Sequence, residues 1–302
     1  MLRTIWLSLD PYMRGRMSDA PSYAPPVGIG EVMTGEVVGR VLRSRTPEFA
    51  EGELVAGRTG WQDWAVADAK TVRKLPDTGL PASTALGVLG MPGMTAWTGL
   101  QNIGQPRPGE TVVVAAATGP VGSMVGQIAR LRGARAVGVA GGAAKCAFAV
   151  EAFGFEACLD HRDAALAQRL AEACPNGIDV YWENVGGAVW EAVFPLLNPF
   201  ARVPVCGLIA HYNATEPAPG GVGVPALMGA VLRRRLRIQG FIVSDFAAQA
   251  PEFLREAAAW VREGTIRYRE DVTEGLENAP AAFMALLRGG NFGKALVRVG
   301  PD

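Results

Sequence analysis

Residues 111–142 constrain the fold of this chain more than any other stretch. They begin with a short apolar run at 111–114, rich in the β-branched residues that a buried parallel strand requires. A segment of small residues follows, and apolar side chains then recur at helical spacing over 123–132, with Gly133 as the helix stop. A second apolar run spans 134–140. The pattern predicts one strand–helix–strand unit of a parallel sheet.

The turn between the first of these strands and the helix has the pattern A-x-x-G-x-x-G. Ala116 opens this pattern at a place where dinucleotide-binding turns commonly have a glycine. Gly119 and Gly122 allow backbone or ligand to come close where a Cβ would intrude. A strand that leads through such a turn into a helix aims N–H groups and the positive helix end at one point. Because the turn lies between two predicted strands, it predicts a dinucleotide site rather than a tight structural turn.

The end of the second strand indicates which dinucleotide binds. An NAD-selective site carries an acid about 20 residues after the turn, where it grips the ribose hydroxyls. Residues 140–145 contain no carboxylate; they include Gly142 and end on Lys145, and Arg162 follows the next strand-like run. Lys145 is also compatible with an ordinary solvated helix position. A cation without an acid fits the added 2′-phosphate, so the sequence predicts NADP(H).

Composition and charge exclude several classes of partner. The 302 residues include 29 Lys and Arg against 29 Asp and Glu, so nucleic acid and anionic membranes are not expected to attract the chain. The arginines at 233–237 are expected to cap the carbonyl end of a helix. No apolar run approaches the ~18 residues of a membrane span, and no signal peptide is expected. The four cysteines contain no Cys-x-x-Cys pair, which favours reduced thiols and a cytoplasmic location.

Length and a change of pattern along the chain predict two domains. Up to about residue 90, short strand-like runs separated by Gly and Pro predict a twisted antiparallel sheet or partial barrel. These runs are 36–42, 53–56 and 63–67. A boundary is expected at Pro92, and residues 294–299 return to strand character and are expected to pair back into the first domain. The first domain is therefore predicted to be discontinuous, 1–91 with 264–302.

The second predicted domain, 92–263, alternates helices and strands. A helix is expected over 94–102, and further strand candidates follow at 157–159, 178–183, 201–207 and 237–243. The alternation predicts an α/β domain with a doubly wound parallel sheet of six strands. Residues 215–225 are too rich in Gly and Pro for regular structure, and we expect them to form a loop beside the site.

A metal site is not predicted. The chain has two histidines, His161 and His211, and neither has a second His nearby or forms part of a convincing set of three ligands. A catalytic zinc ion needs three protein ligands drawn from His, Cys and carboxylates. With no metal and no evident Ser/His/Asp set, the cofactor is expected to carry the difficult chemical step.

Eight stretches, the glycine turn among them, occur in an order that resembles one protein family. They are LSLDPYMRGRM at 7–17, GMTAW at 93–97, the glycine turn, ENVGG at 183–187, CG at 206–207, YN at 212–213, GFIV at 240–243 and NFGK at 291–294. The chain is similar to the zinc-independent branch of the medium-chain dehydrogenase/reductases, specifically to the NADPH-dependent alkenal, prostaglandin and curcumin reductases. The resemblance implies a Rossmann domain for 92–263 and a GroES-like, β-rich catalytic domain for the remainder.

The resemblance also implies roles for individual residues. Two tyrosines, Tyr12 and Tyr212, would border the substrate. The residues implied in cofactor binding are Thr95, Ala116, Gly119, Pro120, Val121, Gly122, Gly142, Lys145, His161, Asn184, Cys206, Gly207, Phe241, Ile242, Val243, Asn291 and Gly293. From the residues alone, other interpretations stay open: Asn184 as a turn residue, Tyr212 as an aromatic lid, Tyr12 as a structural residue, and 241–243 as core.

Two departures from the family pattern stand out, and a third position, in the TGE stretch at 34–36, separates the chain from zinc-dependent relatives. The family normally carries several dozen residues before the leucine-serine-leucine-aspartate motif, whereas Met1 almost adjoins it here, so the opening strands of the catalytic domain are expected to be missing. His161 stands where relatives typically have a tyrosine near the 2′-phosphate. Gly35 stands where zinc-dependent relatives have a histidine ligand.

The reaction that the resemblance implies is reduction of the carbon–carbon double bond of an α,β-unsaturated ketone or aldehyde. NADPH would give hydride to the β-carbon, and Tyr212 or a cofactor hydroxyl would stabilise charge on the carbonyl oxygen. Two alternatives stay open: an NADPH-dependent quinone reductase of the same architecture, and a non-catalytic NADPH-binding protein. Relatives are commonly dimers, so a homodimer is expected.

Overall fold

The structure is a computed structural model that describes residues 1–214 and 222–301. These residues fall into two compact units, Met1–Met91 with Arg269–Asp302, and Pro92–Tyr268. The sequence placed the return to the first unit at Gly264 instead. Residues after the last helix of the second unit stay bonded to it, since the Ile266 N–H donates to Trp260 O at 3.1 Å and the Arg267 N–H donates to Gln127 Oε1 at 2.8 Å.

The first unit begins as a meander of short strands. Its first strand is apolar at most positions and buried, which explains why it pairs on both sides. A 3-10 helix, Pro11–Met17, follows directly, and two shorter ones are Ala69–Thr71 and Ala82–Leu86. The strands are β1 (Leu2–Ser8), β2 (Val37–Val41), β3 (Leu54–Gly57), β4 (Trp64–Ala65) and β5 (Val72–Lys74).

The second unit alternates strands and helices. Its strands are β6 (Thr111–Ala115), β7 (Arg135–Ala140), β8 (Ala157–Asp160), β9 (Ile178–Trp182), β10 (Leu197–Val205) and β11 (Arg237–Gly240). Its helices are α1 (Met91–Gly99), continued by one π-helical segment (Leu100–Gly104), α2 (Pro120–Leu131), α3 (Ala143–Phe153), α4 (Leu166–Ala173), α5 (Gly187–Val193), α6 (Val224–Arg234) and α7 (Ala250–Arg262).

The six strands of the second unit form one parallel sheet in the order β11-β10-β9-β6-β7-β8. This confirms the predicted doubly wound sheet. Strands β7 and β8 are added on one side of β6, whereas β9, β10 and β11 are added on its other side, so the strand order reverses between β6 and β9. Open α/β sheets bind ligands beyond the carboxyl ends of the strands at such a switch point. Strand β6 is buried along its whole length, as a central parallel strand must be. Residues 215–221 of the predicted loop lie outside the described residues, and Val224 already begins α6.

The chain then returns to the first unit through β12 (Glu270–Glu274), α8 (Ala279–Leu287) and β13 (Lys294–Arg298). The sheet order is β12-β13-β1-β2-β3-β5, with β4 also paired to β1. Strand β13 is antiparallel to β1, with Trp6 opposite Arg298, so the expected return of the tail occurs. Strand β12 pairs parallel to β13 and was not predicted, because its residues are mostly polar and only partly buried. Within the described ranges no helix has the length and apolarity needed to cross a membrane.

Candidate active site

The turn between β6 and α2 has the shape of a pyrophosphate cradle. Ala116 adopts a positive φ of 54°, and the Gly119 N–H donates to its carbonyl oxygen at 2.9 Å. A Cβ added at Gly122 would collide with Ala116 O and lie 2.9 Å from the Ala116 carbonyl carbon, whereas one at Gly119 would meet only Ala116 O at 3.3 Å. Helix α2 starts at Pro120, and the first N–H groups of a helix have no partner inside it. The turn therefore fits a dinucleotide pyrophosphate.

Three basic residues, Lys145, His161 and Arg162, follow the carboxyl ends of β7 and β8. A Cβ added at Gly141 would lie 3.0 Å from Nε2 of His161 and 3.5 Å from Nη2 of Arg162. Lys145 lies in the first turn of α3, which Gly142 precedes. The set fits a 2′-phosphate on the ribose, and Arg162 joins it although the sequence prediction did not place that residue in the site.

Asp160, the last residue of β8, holds the backbone of the loops that follow β7 and β8. Its Oδ1 accepts the N–H of Gly142 at 2.9 Å and that of Arg162 at 3.0 Å. These two hydrogen bonds lower the pKa of the Asp160 carboxyl, which therefore stays ionised. The carboxylate that an NAD site directs at the ribose comes from the end of the second strand. Asp160 ends the third strand and is directed at backbone N–H groups instead.

Asn184 connects the ends of two neighbouring strands. Its Nδ2 donates to the carbonyl oxygen of Ala115 at 2.8 Å, and its Oδ1 accepts the indole N–H of Trp182 at 3.1 Å. Ala115 ends β6 immediately before the glycine turn, so Asn184 lies beside that turn at the carboxyl end of the sheet. These hydrogen bonds also give the asparagine a structural role, since they join the ends of β6 and β9.

Tyr212 lies against the turn that follows β10. A Cβ added at Gly207 would lie 3.1 Å from the Tyr212 hydroxyl oxygen, and that oxygen accepts the Leu208 N–H at 3.3 Å. The Cys206 N–H donates to Glu183 O at 2.9 Å, which joins this turn to the end of β9. The structure thus brings Cys206, Gly207 and Tyr212 together at the carboxyl edge of the sheet.

Glu183 is the residue of this edge that the sequence prediction missed as a site residue. It is 3% exposed, and burial raises the pKa of its carboxyl, while N–H groups of the following residues act in the opposite direction. A glutamate between a tryptophan and an asparagine carries no pattern that would single it out.

The remaining predicted residues of the second unit lie around α1. Thr95 is on the helix and 7% exposed. Phe241 is also buried: its ring lies edge-on to Trp182 at 5.8 Å between centroids, and a Cβ added at Gly99 would lie 2.7 Å from Phe241 Cζ. The side chain of Phe241 therefore packs in the core, as the alternative interpretation of the 241–243 stretch held. Ile242 and Val243 follow the end of β11 and are partly exposed.

In the first unit, Tyr12 lies on the 3-10 helix that follows β1. Burial, and next the charge of Asp10, raise the pKa of Tyr12, so its hydroxyl stays protonated. Lys294 Nζ donates to Asp10 Oδ1 at 2.7 Å and to Leu9 O at 2.9 Å, which links the NFGK motif to the LSLDPY motif. The predicted Asn291 donates from Nδ2 to the carbonyl oxygen of Gly293 at 2.8 Å, in the loop before β13.

Comparison with known proteins identifies the family. A family model described as "N-terminal domain of oxidoreductase" matches residues 1–75, and one described as "Zinc-binding dehydrogenase" matches residues 120–260. The NADPH-dependent curcumin reductase of Escherichia coli (strain K12) is 57% identical over 303 residues, covering 100% of this chain and 88% of that protein. The chain belongs to the medium-chain dehydrogenase/reductase family.

Two further proteins place this medium-chain dehydrogenase/reductase within the branch that the sequence motifs indicated. The NADP(+)-dependent 2-alkenal reductase of Nicotiana tabacum is 38% identical, covering 99% of this chain and 87% of that protein. The crystal structure of CurA from Vibrio vulnificus in complex with NADPH has a TM-score of 0.95 at 53% identity, covering 100% of this chain and 90% of that chain.

The described residues of this medium-chain dehydrogenase/reductase contain no group of three or more His, Cys, Asp or Glu arranged to hold a metal ion. The space beside Gly35, where the sequence prediction expected a zinc-dependent relative to have a histidine, has no room for a longer side chain. A Cβ added there would lie 2.8 Å from Leu7 Cδ1 and 3.1 Å from Trp61 Cδ1, so neighbouring side chains fill that space. All four cysteines are free thiols, and burial raises the pKa of each thiol; they are Cys146, Cys158, Cys174 and Cys206.

Proposed function

We propose that this medium-chain dehydrogenase/reductase uses NADPH to reduce the carbon–carbon double bond of α,β-unsaturated ketones or aldehydes. The observation that carries the proposal is the position of Tyr212, whose hydroxyl lies against the Cys206–Gly207 turn at the same sheet edge as the dinucleotide cradle. Its relatives include proteins named for curcumin and for 2-alkenals, both of which contain such double bonds.

The chemistry divides between cofactor and protein. When bound, NADPH supplies a hydride, which in this proposal adds to the β-carbon of the enone. The electron pair then moves toward the carbonyl oxygen, which gains negative charge. A hydrogen-bond donor directed at that oxygen stabilises the enolate more than the substrate, so it accelerates the reaction.

Tyr212 is the donor that we assign to this oxygen. Its own oxygen accepts the Leu208 N–H, and a hydroxyl that accepts a hydrogen bond is a stronger donor through its proton. The α-carbon takes its proton from water in this scheme, and no side chain is needed as a strong acid or base.

The second unit holds the cofactor in this proposal. The pyrophosphate lies against the glycine turn, which presents backbone N–H groups to it. The residues that face it are Gly119, Pro120, Val121 and Gly122, and the two glycines lack the Cβ atoms that would intrude. Lys145, His161 and Arg162 bind the 2′-phosphate, which selects NADP(H) over NAD(H). Thr95, Ile242 and Val243 are assigned to the nicotinamide end.

We further propose a homodimer formed through helix α6 and strand β11. Val224, Met228 and Leu232 repeat every fourth residue on one helix face and are 71%, 60% and 77% exposed. Strand β11 is an edge of the parallel sheet, and an open edge presents unpaired backbone groups to a second strand. Light scattering measures the molar mass of Met228→Glu, with Glu252→Gln on α7 as the control. A dimer that persists in Met228→Glu contradicts the proposal.

The location of the protein is a separate proposal. The free thiols favour a cytoplasmic location.

The proposed activity is tested by mixing the protein with NADPH and an enone and following the loss of cofactor absorbance. The expected product is the saturated ketone or aldehyde, identified by mass spectrometry. An allylic alcohol would show that hydride goes to the carbonyl carbon, and faster turnover of quinones than of enones would assign a different substrate class. Tight NADPH binding without turnover on a broad enone panel would remove the catalytic proposal.

A further inference from the structure

A buried carboxylate lies at the centre of the sheet edge that carries Tyr212. Oε1 of Glu183 accepts three hydrogen bonds: from the Tyr181 hydroxyl at 3.0 Å, from the Val185 N–H at 2.7 Å and from the Gly186 N–H at 2.8 Å. The residue is 3% exposed. A carboxylate is costly to bury unless it is hydrogen-bonded, so these three donors are the compensation that keeps it there.

The main chain of Glu183 reaches in the other direction. Its carbonyl oxygen accepts the N–H groups of Cys206 at 2.9 Å and Gly207 at 3.1 Å. One residue therefore joins two loops, the 183–187 loop after β9 and the 205–212 loop after β10. The side chain shapes the first loop and the carbonyl oxygen holds the second.

Further backbone bonds continue this connection toward Tyr212. The Ile209 N–H donates to Asn184 O at 3.1 Å, and the Ala210 N–H donates to Val185 O at 3.0 Å. These bonds fix the 3-10 helix Ile209–His211, and Tyr212 is the next residue. The contact is close, since a Cβ added at Gly186 would lie 2.9 Å from His211 Nε2. A shift of the first loop is therefore transmitted to the second.

We propose that Glu183 is a positioning residue for the reaction, which holds Tyr212 in place through the two paired loops without touching the substrate. The inference rests on the proposed function, in which Tyr212 donates to the substrate carbonyl. A single oxygen that accepts three donors requires the full charge of a carboxylate to bind all three well. Glutamine would keep the oxygen and bind them more weakly, and methionine would fill the volume and bind none.

The first measurement is independent of catalysis. The chain has five tyrosines, so 3-fluorotyrosine labelling yields a 19F spectrum that single Tyr→Phe variants assign. In the NADPH-bound protein, Glu183→Met is expected to shift the Tyr212 resonance and leave those of Tyr12 and Tyr23 unchanged. Glu191→Met, the same substitution at an exposed position of α5, is the matched control. An unmoved Tyr212 resonance would overturn the positioning role.

The second measurement is a double-mutant cycle on kcat. Glu183→Met is expected to lower kcat about tenfold in the wild-type background and less than about twofold in Tyr212→Phe, since coupled residues are not additive. Glu183→Gln, which keeps the acceptor oxygen without its charge, is expected to recover part of the loss. Equal losses in both backgrounds would show that Glu183 does not act through Tyr212. Should Glu183→Met fail to fold, Tyr181→Phe, which removes one of the three donors, replaces it in both measurements.

The two measurements separate the failure of this inference from failure of the proposed function. A shifted Tyr212 resonance together with full activity of Tyr212→Phe would leave the positioning of Tyr212 by Glu183 intact and would remove Tyr212 as the donor. An unchanged Tyr212 resonance together with a large kcat loss in Tyr212→Phe would keep Tyr212 as the donor and would remove Glu183 as its positioning residue.

Discussion

The side-chain amide of Asn184 donates to the carbonyl oxygen of Ala115 at 2.8 Å, across residues that are 69 positions apart in the chain. Ala115 ends β6, so this hydrogen bond holds the start of the dinucleotide turn. We expect Asn184→Asp to weaken NADPH binding about tenfold, because a carboxylate cannot donate to a carbonyl and one buried hydrogen bond to an amide contributes about 1 kcal/mol or more. Fluorescence titration measures the Kd, and Asn278→Asp, which loses a comparable bond to Glu274 O, is the control. Equal affinities would refute the expectation.

The glycine turn offers a matched pair of substitutions. Gly122→Ala places a Cβ against the Ala116 backbone, 2.9 Å from its carbonyl carbon, whereas Gly119→Ala meets only Ala116 O at 3.3 Å. We expect Gly122→Ala to destabilise the second unit by about 1–3 kcal/mol and to weaken NADPH binding, since backbone atoms cannot move aside as side chains do. Thermal unfolding with and without NADPH compares the two. The expectation fails if both variants behave alike.

Selection of the 2′-phosphate is expected to depend on Arg162. Its guanidinium nitrogens lie 3.5 Å and 3.6 Å from Cβ positions at Gly141 and Gly142. Arg162→Leu should raise the Kd for NADPH about tenfold and leave the Kd for NADH unchanged, because a charge-assisted bond to the phosphate contributes ~1.5–3 kcal/mol. Arg169→Leu, which removes an exposed arginine paired with Asp163, is the control. A parallel loss of affinity for both cofactors would assign Arg162 a structural role.

The donor role of Tyr212 predicts a specific kinetic change. Tyr212→Phe keeps the ring and removes the hydroxyl, which lies at the Cys206–Gly207 turn. We expect kcat with an enone to fall roughly 100-fold, as for loss of one oxyanion donor, while the Kd for NADPH stays within about twofold. Tyr268→Phe is the control. An unchanged kcat together with an unchanged Kd for NADPH would instead indicate an aromatic lid, because phenylalanine preserves the ring.

Glu36 predicts a pH dependence of stability. Burial raises the pKa of its carboxyl above the ordinary value of 4.5, and the Arg73 guanidinium 3.7 Å away opposes this only in part. The folded state therefore binds the proton more tightly than the unfolded state, and stability falls as pH rises from 4.5 through the raised pKa. Glu36→Gln removes this loss, so we expect its Tm to exceed that of the wild type by about 2–4 °C at pH 8 and to match it at pH 4.

Glu53 is the control for that experiment, because its pKa shift has the opposite sign to that of Glu36. The hydrogen bond from Lys74 lowers the pKa of Glu53, so its contribution is present above 4.5 and lost as pH falls. Glu53→Gln is therefore expected to lower Tm at neutral pH and to have no effect in acid. A Tm difference for Glu36→Gln that does not change with pH would show that burial of its charge is not the cause.

The fold of the second unit could be predicted from the sequence because the patterns that indicate its strands and helices are local. Apolar runs, glycine turns and helical spacing determine strands β6 and β7 and helix α2 within short windows, and the sheet they predicted is confirmed. The family was likewise recognisable, since its motifs recur in order from end to end. Strand β12 escaped prediction because a polar strand at a sheet edge lacks the alternation that marks a half-buried strand.

The arrangement of the site was less accessible from sequence. The bond between Asn184 and Ala115, the approach of Arg162 to Gly141, and the three donors on Glu183 depend on which strands become neighbours. Sequence spacing does not encode those distances. The side chain of Phe241 illustrates the same limit, because its packing against Trp182 depends on the close approach that Gly99 allows.

Ala116 holds a left-handed backbone conformation with a side chain that has a methyl group, at φ 54°. Such a conformation costs a non-glycine residue about 1–2 kcal/mol, yet the turn keeps its form, since the Gly119 N–H closes onto Ala116 O and the missing Cβ of Gly122 makes room for it. The turn thus tolerates a methyl group at Ala116, whereas Gly122 leaves no room for one. Pattern searches that demand all three glycines of the phosphate fingerprint would pass over chains of this kind, and a search anchored on the final glycine would retain them.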